Sequence, residues 1–170
     1  MKLWQAITAA ALVWAAVFLP GLGTQEIKGD EGRGILPGKN MLMHGDWAVP
    51  HIGGKVYSRN PPLMNWLAAA SFKFTGTQSE WAARLPSVAA VLAMTLCMVA
   101  AGSGWMRGAG VAFMAAVFAM TNLAILEKGR LAELEPLYVG LTCIAFALWS
   151  KFFMEERSPW LTWTLPWVFL

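Results

Sequence analysis

Charge is scarce in this sequence. Of 170 residues, 14% are charged and 57% are hydrophobic; a soluble domain carries about 25% charge. That excludes an ordinary soluble domain and points to an integral membrane protein. Basic runs are missing too. A formal net charge of +3 gives a weak bias toward anionic lipid, without the clustered Lys and Arg that nucleic acid requires, so nucleic acid is not an expected partner. Only two cysteines are present, Cys97 and Cys143, both inside apolar segments. Neither a disulfide framework nor metal-ligand spacing follows from them. His44 and His51 do not form a close helical pair, and no nearby cysteine completes a site. Walker-type and dinucleotide glycine patterns are absent, and Gly53-Gly54 reads as a turn.

What the chain does have is a series of long apolar segments. Residues 3–22 carry no charge and are long enough for about 30 Å of hydrocarbon. Lys2 before them favours a cytoplasmic N-terminus. No small-residue cleavage site is evident after Pro20-Gly21, so an uncleaved first span is preferred to a signal peptide. Further spans are expected at 85–106, 109–126 and 136–153, with Trp81 and Trp105 as interfacial anchors of the second. Pro86 suits the first helical turn of that span. A fifth apolar segment, 159–170, covers only about 18 Å as a helix, so the expectation is the N-terminal part of a larger protein. The fold class expected is an all-α multi-span helical bundle with a long external first loop, about 23–84, bearing interfacial helices.

The polar stretch 29–62 is the part of the chain rich in reactive groups. It holds Asp30, Glu31, both histidines and the cations Arg33, Lys39, Lys55 and Arg59, and it closes on Pro61-Pro62. Loops of this length are functional or disordered, and interspersed Ile35, Leu36, Met41, Leu42, Met43 and Trp47 argue against disorder. Residues 32–45 offer a short amphipathic piece, broken near its start by Pro37-Gly38. Residues 63–74 make about 18 Å of helix and contain Lys73, which suits an interfacial or re-entrant helix. If that helix stays at the interface, Asp30-Glu31 and the acidic turn 127–135 share one side of the membrane. If it spans, they do not.

Four features can carry chemistry. Adjacent Asp30 and Glu31 repel, so one carboxyl is expected to have a raised pKa and to take a proton near neutral pH; a solvated acidic loop is the plain alternative. Arg59, beside Asn60 and held by two prolines, sits where a lipid phosphate would lie. Arg84 stands at the mouth of a span, either snorkelling or facing a headgroup. Glu135, just before Pro136, is an acid at the lip of another span, in a turn it shares with Glu127, Lys128, Arg130 and Glu133.

In order and spacing these pieces resemble the GT-C class of membrane glycosyltransferases. The nearest likeness is to the protein O-mannosyltransferases and the bacterial lipid A aminoarabinose transferases. The matching residues are Asp30-Glu31, Gly45-Asp46-Trp47, Pro50, Gly54-Lys55, Tyr57, Asn60-Pro61-Pro62-Leu63, Glu80 and Ala82-Ala83-Arg84-Leu85-Pro86-Ser87, over about residues 1–150. The likeness implies a polyprenyl-phosphate-linked sugar donor and transfer at the external face of the cytoplasmic (inner) membrane to a glycan, lipid or protein acceptor. It implies Asp30 as catalytic base, with Glu31 tuning it and Glu135 orienting the acceptor, and Arg59, Asn60 and Arg84 at the donor phosphate. Two positions depart from the family pattern: Asn60 replaces its lysine, and Glu135 its second aspartate. A divalent metal is used by some members of the class, but no ligand set for one is evident here. The rival reading is a non-enzymatic lipid-binding or transport-related protein that uses the loop for headgroup recognition.

Overall fold

The computed structural model describes residues 1–154; the expected turn at 155–158 and apolar segment at 159–170 lie outside the described residues. In chain order come helices α1 (Leu3–Phe18) and α2 (Glu31–His44), a two-stranded hairpin β1 (His51–Ile52) and β2 (Lys55–Val56), then α3 (Leu63–Thr75), α4 (Glu80–Trp105), α5 (Ala109–Met120), α6 (Leu123–Lys128) and α7 (Glu135–Met154). Two of them, Glu80–Trp105 and Glu135–Phe153, are long and apolar enough to cross a membrane, and α1 and α5 are shorter apolar helices. Outward-facing Trp4, Leu12, Met114, Phe118 and Phe146 are well exposed. These helices are thus apolar on both faces, as a helix in hydrocarbon is.

Several expected boundaries shift, each for a local reason. The first apolar helix stops at Phe18 rather than running to residue 22, because Pro20 and left-handed Gly21 follow (φ 67°) and turn the chain. The single span expected at 109–126 is broken in two. The Thr121 hydroxyl donates back to the Val117 carbonyl (2.8 Å), and Asn122 accepts from the Ala124 N–H (3.0 Å) to cap a new helix. The helix expected from residue 85 already starts at Glu80, so Pro86 lies in its second turn instead of its first. Likewise Pro37-Gly38 does not break the piece at 32–45; α2 runs through Pro37. The hairpin, turning on Gly53 and Gly54 with φ of 57° and 78°, adds strand to an expected all-helical chain.

Proline inside a helix leaves the carbonyl four residues earlier without its N–H donor. Both orphans here are met from α3. Asn65 Nδ2 donates to the Arg33 carbonyl (3.1 Å), the one Pro37 leaves open, and to that of Gly34 (2.8 Å). Ser71 Oγ donates to the Ala82 carbonyl, the one Pro86 leaves open. A third α3 side chain, Trp66, donates from Nε1 to the Trp47 carbonyl (2.9 Å), and Asn40 of α2 donates to the His51 carbonyl (2.7 Å). Together these bonds tie α2, the hairpin and α4 to one short helix.

Packing in this region depends on small residues. Ile35, Met64, Ala68, Phe72, Ala82, Ala83, Ala132 and Leu137 form one buried cluster across α2, α3, α4 and α7. Gly34 and Gly38, one helical turn apart, bring α2 into backbone contact with its neighbours, the small-residue device of membrane helix packing. A Cβ on Gly34 would lie 2.8 Å from the Ala132 carbonyl oxygen, and one on Gly38 2.8 Å from that of Asn65. Backbone cannot yield as a flexible side chain does, so Gly38→Ala should lower the thermal midpoint of the purified protein by several degrees. Gly110→Ala, whose Cβ meets nothing within 4 Å, should leave it unchanged. Equal midpoints for the two variants would mean that α2 and α3 are not in backbone contact.

Candidate active site

Arg84 and Glu31 organise one end of the bundle. Glu31, the first residue of α2, is 1% exposed, and Arg84, in the second turn of α4, is 3% exposed. They pair bidentately, Nε to Oε1 at 2.8 Å and Nη2 to Oε2 at 3.0 Å. The remaining guanidinium N–H groups donate to the carbonyls of Leu22 (2.7 Å), Gln25 (2.9 Å) and Glu26 (3.3 Å). The Glu31 carboxylate also accepts from the backbone N–H of Lys28 (3.1 Å) and of Ala132 (2.9 Å). A guanidinium has five N–H donors and a carboxylate about four acceptor sites; here all are occupied. The pair therefore joins the segment after α1, the start of α2, α4 and the segment before α7.

This geometry corrects two expectations. Arg84 neither snorkels nor faces a headgroup: it is buried, and no donor is left for a phosphate. Nor does the expected rise in pKa occur at Glu31. Burial alone pushes the Glu31 carboxyl up, but the Arg84 hydrogen bonds and charge, with the Ala132 and Lys28 N–H groups, outweigh that and hold it below its ordinary value. Each acid has its own cation. Asp30 occupies the N-cap position of α2 without a side-chain capping bond and pairs with Arg33 at 2.8 Å, both side chains substantially exposed. The two carboxylates therefore point into different surroundings, Glu31 inward and Asp30 outward.

Asp30 faces a small open cleft lined also by Arg33, Tyr57, Asn60, Asn65, Glu133 and Glu135. The cleft brings together three of the residues singled out from the sequence, Asp30, Asn60 and Glu135. Its parts come from far apart in the chain: the start of α2, the segment between the hairpin and α3, and the start of α7. Asn60 donates from Nδ2 to the Tyr57 hydroxyl (3.3 Å). Glu133 is mostly buried and paired with Lys128 at 2.7 Å, so the carboxylate that is exposed on this side is Glu135. The Glu133 carboxylate beside Lys128 raises the lysine's pKa. Arg59 is exposed and does not line the cleft.

Arg33, Tyr57 and Asn65 line the cleft but escaped the sequence reading. Arg33 was noted only as one cation among several, although its i+3 spacing from Asp30 on a helix is the signal for their pairing. Tyr57 was a motif position without a role, and nothing local announces that a hairpin would carry it there. Elsewhere, His51 lies 3.7 Å from Asp46, and no group of three or more His, Cys, Asp or Glu is placed to hold a metal ion among the described residues.

The model of the dolichyl-phosphate-mannose-protein mannosyltransferase family matches residues 3–168. The chain belongs to this family. Two curated relatives carry the description undecaprenyl phosphate-alpha-4-amino-4-deoxy-L-arabinose arabinosyl transferase. The protein of Pseudomonas savastanoi pv. phaseolicola is 27% identical over 140 residues, 80% of this chain and 26% of its own length. That of Yersinia enterocolitica is 28% identical over 140 residues, 81% of this chain and 25% of its own length. The chain thus spans about a quarter of the length of the curated relatives it matches. No solved structure matches it.

Proposed function

We propose that this chain carries the acid-lined cleft of a membrane glycosyltransferase that moves a sugar from a polyprenyl-phosphate carrier to an acceptor hydroxyl. Transfer takes place at the external face of the cytoplasmic membrane, the N-terminus lying inside. One observation carries the reading: Asp30 and Glu135, from distant parts of the chain, line a single cleft together with the cation Arg33. Sugar transfer from a lipid phosphate needs a base for the acceptor and positive charge for the departing phosphate. Asp30 is the base. Exposed and at the cleft wall, it can reach an acceptor proton; Glu135 orients the acceptor. Arg33 and Asn60 face the donor phosphate, with Arg59 available nearby at the rim. Asn60 supplies a neutral donor where the family pattern has lysine, so Arg33 carries more of the charge here. Glu31 and Arg84 do no chemistry; they hold the cleft walls together.

Arg33 gives the test. A hydrogen bond to a charged group contributes about 1.5 to 3 kcal/mol, so Arg33→Ala in the full-length enzyme should raise KM for an undecaprenyl-phosphate sugar donor about ten- to a hundredfold. Arg59→Ala should raise it by no more than about threefold, the effect of an exposed charge. The reverse ranking would move the phosphate to the rim. Absence of any sugar release from such donors by the wild-type enzyme would overturn the reading and favour headgroup binding without catalysis.

A further inference from the structure

We infer that Asn65 is a positioning residue for this cleft: it replaces the hydrogen bond that Pro37 denies to the Arg33 carbonyl, and so fixes Arg33 and its partner Asp30. The inference rests on the proposed role of the cleft, but its structural part stands apart from it. Asn65 is 3% exposed, and a buried amide is costly unless bonded. Its Nδ2 lies 3.1 Å from the Arg33 carbonyl oxygen and 2.8 Å from that of Gly34. Residue 37 would donate to the Arg33 carbonyl in an unbroken helix, but proline has no N–H. Without a donor from outside, that part-buried carbonyl would turn away and take the first turn of α2 with it. Arg33 sits on that turn. Its guanidinium holds Asp30 at 2.8 Å, and both line the cleft with Asn65. Gly34 and Gly38 allow α2 close enough to its neighbours for Asn65 to reach: no Cβ fits between Gly38 and the Asn65 backbone.

The arrangement makes a double-mutant cycle decisive, because alanine at residue 37 restores the missing N–H. In the purified full-length enzyme, Asn65→Leu keeps the volume and removes the donor. It should lower the thermal midpoint by several degrees and raise KM for an undecaprenyl-phosphate sugar about tenfold, with a smaller change in kcat. Pro37→Ala alone should leave KM within about twofold of wild type. In Asn65→Leu/Pro37→Ala, the new N–H serves the Arg33 carbonyl, and most of both losses should return. A packing defect at residue 65 would not be repaired by a change at residue 37. Additive midpoints therefore overturn the inference, as does a coupled midpoint in an active enzyme whose donor KM ignores Asn65→Leu. If the wild-type enzyme proves inactive on these donors, the proposed function fails and the midpoint cycle alone decides: coupling upholds the Asn65–Pro37 exchange and additivity ends it.

Discussion

Asp30→Asn in the full-length enzyme should lower turnover by a factor of about 10² to 10⁴, the usual contribution of a general base. Donor binding should survive, because the amide keeps the side chain's shape and one acceptor oxygen, and Arg33 remains at the cleft wall. Asparagine cannot take the acceptor proton, so the loss belongs in kcat rather than in KM. Glu135→Gln is the companion measurement. An acid that only orients the acceptor should cost less turnover than the base and should raise KM for the acceptor. Comparable losses of turnover in both variants would make Glu135 a partner in proton transfer. Near-wild-type turnover of Asp30→Asn with saturating donor would return Asp30 to a solvated acid paired with Arg33 at the start of α2. Single-turnover kinetics separate chemistry from product release in each case.

How much of this was readable in advance depended on the range of the interaction. The apolar helices and the Gly53-Gly54 turn follow from composition and short-range pattern and agree with the structure; membrane character follows from composition and agrees with the family match. The two proline positions did not, because a proline's local effect is to stop a helix, and what keeps α2 and α4 intact are Asn65 and Ser71 on a third helix. Residue hydropathy cannot announce such a donor. The break at Thr121-Asn122 was legible in principle, since Asn is a strong helix cap, but an apolar window averages over it. At the cleft, the sequence pointed to Asp30, Asn60 and Glu135. The family likeness made Asp30 the base and Glu31 its tuner, but residue pattern alone could not separate the two. Neighbours in sequence read as one acid pair, yet the start of a helix turns one side chain inward and leaves the other at the surface. Only the positions of Arg33 and Arg84 separate them.

That separation gives the second large effect. Glu31→Gln should destabilise the protein by about 3 to 5 kcal/mol, the loss seen when one partner of a buried ion pair is removed and the other is left charged. Arg84→Lys should do nearly as much harm, because three ammonium donors cannot satisfy the acceptors now met by five in a fixed planar fork. For an isolated pair, replacing both partners with apolar residues is often neutral. Here it should not be: in Glu31→Leu/Arg84→Met the N–H groups of Lys28 and Ala132 and the carbonyls of Leu22, Gln25 and Glu26 all lose their partners. Acid should act in the same direction. The Glu31 pKa is lower in the folded protein than its ordinary value of 4.5, so its contribution is complete above that value and is lost as pH falls through the folded one. Wild-type stability should therefore drop below about pH 4.5 by more than that of Glu31→Gln, which has no proton to take up there. Thermal midpoints of the purified protein across that pH range, measured for the three variants, provide the check. Turnover should fall in step with them, since the same bonds hold the Asp30 and Glu135 segments against each other. If Arg84→Lys kept the wild-type midpoint and raised only the donor KM, Arg84 would belong to the phosphate after all, and the buried network would not be what joins the two walls of the cleft.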